Sequence, residues 1–199
     1  MAKPTTAARS DDMHVRVGET IGRGAFGKVI AAVIGDTKVA VKLVDKKQLK
    51  SANIPLGRIF NEIQIHQKLN HPNIVKFLGY REDYIMITLH MEYCGGGDMQ
   101  TELEIRMRLT NSEARQVFGQ LIEAVVYIHQ QGIAHRDIKP ANLLLTAQKD
   151  VKLADFGFAT QAKFASPNTI CGTPNFIAPE VVSVEGSRDT LAQDMWACG

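Results

Sequence analysis

Cysteine is scarce in this chain of 199 residues. Cys94, Cys171 and Cys198 are odd in number, scattered, and form no Cys-x-x-Cys pair. That argues against a disulfide-stapled scaffold or a cysteine zinc site and points to a reducing, intracellular, cytoplasmic setting. Long apolar runs are also missing. No stretch reaches the ~18 consecutive apolar residues of a membrane span. Met1 to Asp12 are small, polar and charged and lack the apolar core of a secretory signal, so residues 1–14 read as a disordered leader. Nor does one sign of charge dominate. The net charge of +2 is too small to make nucleic acid or an anionic membrane the main partner. The 45% hydrophobic and 22% charged content suits one large domain or two small lobes.

The most informative stretch is His135-Arg136-Asp137-Ile138-Lys139-Pro140-Ala141-Asn142. Asp137 sits between two cations, Arg136 and Lys139, and Asn142 follows Pro140 closely. Pro140 fixes its own φ and biases Lys139 away from helix, so the segment reads as a rigid loop. Ile133-Ala134 before it and Leu143-Leu144-Leu145 after it look like short buried strands holding polar groups at their ends. A carboxylate here can orient a hydroxyl and accept its proton. A lysine can neutralise a phosphoryl oxygen, and an amide oxygen can bind a hard cation.

Ahead of this loop, Gly22-Arg23-Gly24-Ala25-Phe26-Gly27-Lys28-Val29 leads into the β-rich run Val29 to Ile34. Gly35-Asp36 predicts a hairpin turn, and Lys38 to Val44 the returning strand. A dinucleotide-binding oxidoreductase would place a helix straight after the glycines. A strand follows instead, which leaves a glycine flap over phosphates and a glycine turn without ligand as the two readings. Lys42 ends the apolar strand Val39-Ala40-Val41, as solvated lysines commonly do. Residues 56–69 suit a helix, with Ile59, Ile63, His66 and Leu69 at three- and four-residue steps. Glu62 is its only acid, and His66 reads as a packed core histidine. Ile74 to Leu78 and Ile85 to Met91 predict two further strands. Glu92-Tyr93-Cys94-Gly95-Gly96-Gly97-Asp98 then breaks into loop, with Asp98 either solvated or a hydroxyl acceptor.

Residues 111–131 give the clearest helix. Thr110 and Glu113 form a capping box, Ala114, Val117, Phe118, Leu121, Ile122, Val125 and Ile128 form an apolar stripe, and Gly132 closes it. Beyond the Asp137 loop, Leu143–Leu145 and Val151–Leu153 predict a small hairpin leading to Asp155-Phe156-Gly157. Cys171-Gly172-Thr173-Pro174-Asn175-Phe176 and Ala178-Pro179-Glu180 follow.

Taken in order, these motifs resemble the signature set of eukaryotic protein kinases. Lys139 two positions after Asp137, and Gly172-Thr173-Pro174, resemble the serine/threonine rather than the tyrosine branch. Asn61-Glu62-Ile63-Gln64-Ile65-His66, Ala159-Thr160 and the Cys171 to Phe176 run are similar to the polo-like group, although Gly27-Lys28-Val29 is the general kinase form. The resemblance implies an α+β, two-lobed fold: an antiparallel N-lobe over 15–91 with one helix, a hinge at 92–98, and a mainly helical, partial C-lobe over 99–199. It implies transfer of the ATP γ-phosphate to serine or threonine of protein substrates. Ile21, Gly22, Gly24, Gly27, Val29, Ala40, Met91, Leu144, Asp98 and the main chain of Glu92 and Cys94 would line the nucleotide site. Lys42, held by Glu62, would anchor the phosphates, and Asn142 and Asp155 would hold Mg²⁺. Asp137 would orient the attacking hydroxyl, Lys139 would neutralise the transferred phosphate, and Thr173 would face both. Thr169 is the expected phosphosite, ahead of Ser166 and Thr160, modified by an upstream kinase or by the chain itself. A polo-like member would be expected at the centrosome or centriole. The rival reading is a kinase-like binding module or incompetent fragment. The presence of Lys42, Asp137, Asn142 and Asp155 speaks against a pseudokinase.

Overall fold

The computed structural model describes residues 15–24, 27–165, 171–182 and 189–199. Val15–Gly24 (β1), Gly27–Ile34 (β2) and Thr37–Asp45 (β3) form a meander, with Gly35-Asp36 as the β2–β3 turn. Two helices follow, Lys46–Ser51 (α1) and Leu56–His66 (α2). Phe77–Glu82 (β4) and Met86–Glu92 (β5) complete an antiparallel sheet of order β1-β2-β3-β5-β4.

Alternation along β3 decides where Lys42 goes. Val39 and Val41 pack with Ile30 and Ala32 in one cluster. Val44 lies on the other face with Ile59 and Ile63 of α2 and with Ile87 and Leu89 of β5. Lys42 is two residues from Val44, so it shares the face that α2 covers. Gly27 is dictated by backbone proximity. Its φ is +155°, and a Cβ there would lie 1.8 Å from the Leu43 carbonyl oxygen.

The second half is built on a larger core that joins Ile65, Leu69 and Ile74 to Leu121, Val125, Ile128, Ile138, Leu145, Leu153 and Phe156. Its elements are Met99–Arg106 (α3), Asn111–Gln130 (α4), the two-residue strand Ile133–Ala134 (β6), Leu143–Leu145 (β7), Val151–Leu153 (β8), Thr160–Gln161 (β9), Pro179–Val182 (α5) and Thr190–Cys198 (α6). β6 pairs with β9, and β7 with β8. Among the described residues no helix is long and apolar enough to cross a membrane.

Several expected boundaries move. The strand read from Ile74 begins at Phe77, because Ile74 forms a bridge with Leu153 of β8 instead, bonded through the flanking Asn73 carbonyl and Val75 amide. The helix read as 56–69 ends at His66. The capping box of α4 forms as read, with Thr110 accepting from the Glu113 amide and Glu113 accepting from that of Thr110. The apolar stripe is buried only from Leu121 onward. Ala114 is exposed, and Phe118 is 49% exposed. α1 and α3 went unread. Each is capped by an aspartate, Asp45 or Asp98, and each buries one side chain, Leu49 or Met99.

Candidate active site

Lys42 and Glu62 meet on the covered face of β3. Lys42 Nζ lies 2.7 Å from Glu62 Oε1 and 3.1 Å from Asp155 Oδ1. Burial works against the Lys42 charge, but the two carboxylates overcome it and hold its pKa above the ordinary lysine value. Burial pushes Glu62 upward, and Lys42 pulls it partly back. Asp155 is opposed by burial too, yet the charge and hydrogen bond of Lys42 keep it below the usual carboxylate range. Its side chain stays 43% exposed, so an oxygen faces outward.

Asp155 adopts φ 61°, the left-handed region that non-glycine residues rarely enter, and so does Arg136 at φ 66°. Asp155 is held by a local bond and Arg136 by a distant one. The Asp155 carboxylate accepts from the Gly157 amide at 3.3 Å. Buried Asp194 of α6 accepts from the His135 amide at 2.8 Å and the Arg136 amide at 2.7 Å. His129 Nε2 lies 2.9 Å from the same Asp194.

Asp137 centres a second group. Its Oδ1 accepts from Thr173 Oγ1 at 2.8 Å. Its Oδ2 lies 2.8 Å from Lys139 Nζ and accepts from Asn142 Nδ2 at 3.0 Å. Lys139 also donates to Thr173 Oγ1 at 2.7 Å. A hydroxyl is therefore held between a carboxylate and an ammonium group. The two groups abut, because the Ala154 amide, next to Asp155, donates to the Asn142 carbonyl at 2.9 Å.

A row of rings, buried except for half-buried Phe77, runs behind both. His66 packs on Phe77 at 5.3 Å and on Phe156 at 4.7 Å, and Phe156 packs on His135 at 5.0 Å. His66 Nε2 donates to the Val75 carbonyl at 2.6 Å, and burial lowers its pKa to about 4, so the ring is neutral at pH 7. This is the packed histidine read from the sequence.

Strand register gathers the remaining candidates. Gly22 pairs with Val29 and Val29 with Lys42, while Ala40 lies beside Met91. Ile21 stands on β1, 41% exposed. Gly24 ends β1, and the loop tip at residues 25–26 lies outside the described residues. Leu144 bridges to Asp98. The Asp98 carboxylate accepts from the amide and hydroxyl of Thr101, so it caps α3. The glycine-rich stretch is tied down at its end. The Gly96 amide donates to the Leu145 carbonyl at 2.8 Å, and a Cβ on Gly96 would lie 2.3 Å from the Thr146 oxygen. Burial and nearby Glu92 push the Cys94 thiol up to about 11, so it is neutral.

Residues 15–199 match the protein kinase domain family. The chain belongs to that family. It is 41% identical over 187 residues to CBL-interacting protein kinase 24 of Oryza sativa subsp. japonica, covering 92% of this chain and 41% of that protein. It is 39% identical over 184 residues to serine/threonine-protein kinase PLK4 of Danio rerio, covering 90% of this chain and 19% of that protein. The PLK4 of Xenopus tropicalis is 38% identical over the same length. The chain thus spans about two-fifths of the first relative and about one-fifth of the others.

Within this kinase domain the sheet half carries Lys42 and Glu62, and the helical half carries Asp137, Lys139, Asn142 and Asp155. Thr169 and Ser166 lie outside the described residues. Thr160 is half-buried on β9. The sequence reading missed Asp194, which fastens the backbone of the Asp137 loop. Its only signal was an acid among apolar residues in Leu191 to Cys198. It also missed Arg58 and Asn61, which flank Glu62. Arg58 Nε donates to the Gly157 carbonyl at 3.0 Å, and Asn61 Nδ2 to that of Ala159 at 2.9 Å.

Asn142 and Asp155 fit a hard divalent metal ion by donor chemistry. With its amide nitrogen bonded to Asp137, Asn142 presents an amide oxygen, and Asp155 presents a partly exposed carboxylate. Among the described residues no three His, Cys, Asp or Glu side chains gather to hold a metal. Mg²⁺ at phosphate-transfer sites needs only one or two protein oxygens beside water and phosphate.

Proposed function

We propose that this chain is the catalytic part of a serine/threonine protein kinase that uses ATP with Mg²⁺. The observation that carries the reading is the Thr173 hydroxyl, which donates to Asp137 and accepts from Lys139 in a loop adjoining Asp155. That is the environment a serine or threonine hydroxyl needs when it attacks phosphorus. Asp137 orients the hydroxyl and takes its proton, and Lys139 offsets charge on the group in transit. Lys42, seated by Glu62, binds phosphate oxygens. Asn142 and Asp155 offer oxygens to the metal. When bound, ATP would supply the activated phosphoryl group and Mg²⁺ would offset the charge of its oxygens. Phosphorylation of Thr169 by an upstream kinase or by the chain itself belongs to the same proposal, as does a polo-like assignment.

The test is transfer from Mg²⁺-ATP to a generic protein acceptor, with the modified residue identified, for the chain and its Asp155→Ala variant. Phosphoserine or phosphothreonine that disappears in the variant is expected. No transfer, or phosphotyrosine alone, overturns the reading.

A further inference from the structure

Glu92 is the last residue of β5, where the sheet hands over to the loop leading into the helical half. Its carboxylate is used on both sides. Oε2 accepts from the Lys76 amide at 3.1 Å, and Oε1 lies 2.8 Å from Lys152 Nζ on β8. Both side chains are well covered, Lys152 at 14% and Glu92 at 29% exposure. The backbone is zipped beside them. Asn73 Nδ2 donates to the Val151 carbonyl at 2.9 Å, the Leu153 amide donates to that of Asn73 at 2.8 Å, and the Val75 amide to that of Leu153 at 3.0 Å. Val151 and Leu153 point into the core, so Lys152 projects from the opposite face of β8. On that face its cross-strand neighbour is Leu144, a candidate wall of the nucleotide site. Three residues after Lys152 comes Asp155.

We propose that the Glu92–Lys152 ion pair is a strap fixing the distance between the two ends of the nucleotide cleft, with Lys152 a positioning residue for nucleotide binding. One end is the Glu92 main chain beside the purine. The other is Asp155 beside the phosphates and metal. The proposal rests on the kinase reading. An ion pair at a strand end can be neutral for stability. This one joins the loop between the lobes to the short strand that aims Asp155. Its loss therefore falls on ligands that touch both ends and spares ligands that touch one.

The experiment is equilibrium binding of Mg²⁺-ADP and of adenosine to the chain, to Lys152→Met, to Glu92→Gln and to the double variant. Glu92→Gln keeps an oxygen for the Lys76 amide and removes only the charge. Each single variant is expected to bind Mg²⁺-ADP roughly threefold more weakly, and the double no weaker than either single. Adenosine affinity is expected to stay unchanged in Lys152→Met, whose side chain lies away from the purine. Equal loss for adenosine in that variant, additive losses in the double variant, or unchanged Mg²⁺-ADP affinity overturns the strap. If the unaltered chain binds neither ligand, the kinase reading fails, and the strap falls with it.

Discussion

Glu62 and Asp137 are both buried carboxylates with a lysine within hydrogen-bond distance, yet their surroundings differ. Among the described residues Glu62 pairs with Lys42 through one oxygen, and its other oxygen is buried with no hydrogen-bond partner. Asp137 shares its two oxygens among Thr173, Lys139 and Asn142. The first arrangement is a dry anchor that depends on a single pair, made between residues 20 positions apart. The second is a half-open network in which one donor, a hydroxyl, can be exchanged for another. Anchors fix charge and networks handle protons, and the two groups should fail differently.

The largest effect is expected in the network. In Asp137→Asn an amide nitrogen must face either the Thr173 hydroxyl or the donors Lys139 and Asn142. Transfer should drop by about 10²- to 10⁴-fold, the range for a lost general base. Mg²⁺-ADP affinity should hold, because Lys42, Glu62 and Asp155 are untouched and Asn142 Nδ2 keeps its bond to the carbonyl of residue 137. Activity close to that of the unaltered chain would remove Asp137 from its role.

Breaking the anchor should cost stability. Lys42→Met strands Glu62 without its cation, a loss of about 3 kcal/mol near pH 8. The sign of its pH dependence follows from the missing partner. Burial and the neighbouring Asp155 charge now act on Glu62 with only Arg58 opposing them, so its folded pKa rises further above the ordinary 4.5. Between those two values the folded state binds more protons than the unfolded one, so the variant gains stability as pH falls from 8 towards 5. Denaturant titrations at both pH values check this, with Lys42→Met/Glu62→Gln as the control that should lose the slope. A flat profile for the single variant would mean that Glu62 reaches water.

The contrast also explains what could be read from the chain. Asp137, Lys139 and Asn142 lie within six residues around a proline, so residue order alone displays the network. α2 was legible because Ile59 and Ile63 repeat at helical spacing. α1 and α3 were not, because α1 is six mostly polar residues, α3 interleaves Met99, Leu103 and Ile105 with polar and charged ones, and each is set by an aspartate cap with one buried side chain. The Lys42–Glu62 pair came from family resemblance alone, since a lysine at a strand end and a glutamate in a helix are ordinary in isolation. Asp194, Arg58, Asn61 and Lys152 act on partners far along the chain, mostly backbone atoms. No local pattern reports which carbonyl or amide a side chain will reach once the fold has closed.

The smallest effect sharpens the comparison most. Asn61 precedes Glu62, and its side chain grips the Ala159 carbonyl while Arg58 grips that of Gly157 and lies over the Phe158 ring at 4.1 Å. α2 is thereby stitched to the segment just after Asp155, and the anchor inherits its position from that seam. Asn61→Ala removes one hydrogen bond at a partly exposed place, about 1 kcal/mol and so at most about fivefold. The loss should appear as weaker Mg²⁺-ADP binding, because Lys42, Glu62 and Asp155 move together. Turnover at saturating nucleotide should hold, because Asp137 draws nothing from α2. If turnover falls while binding holds, the seam serves the network, and the two groups are not separable.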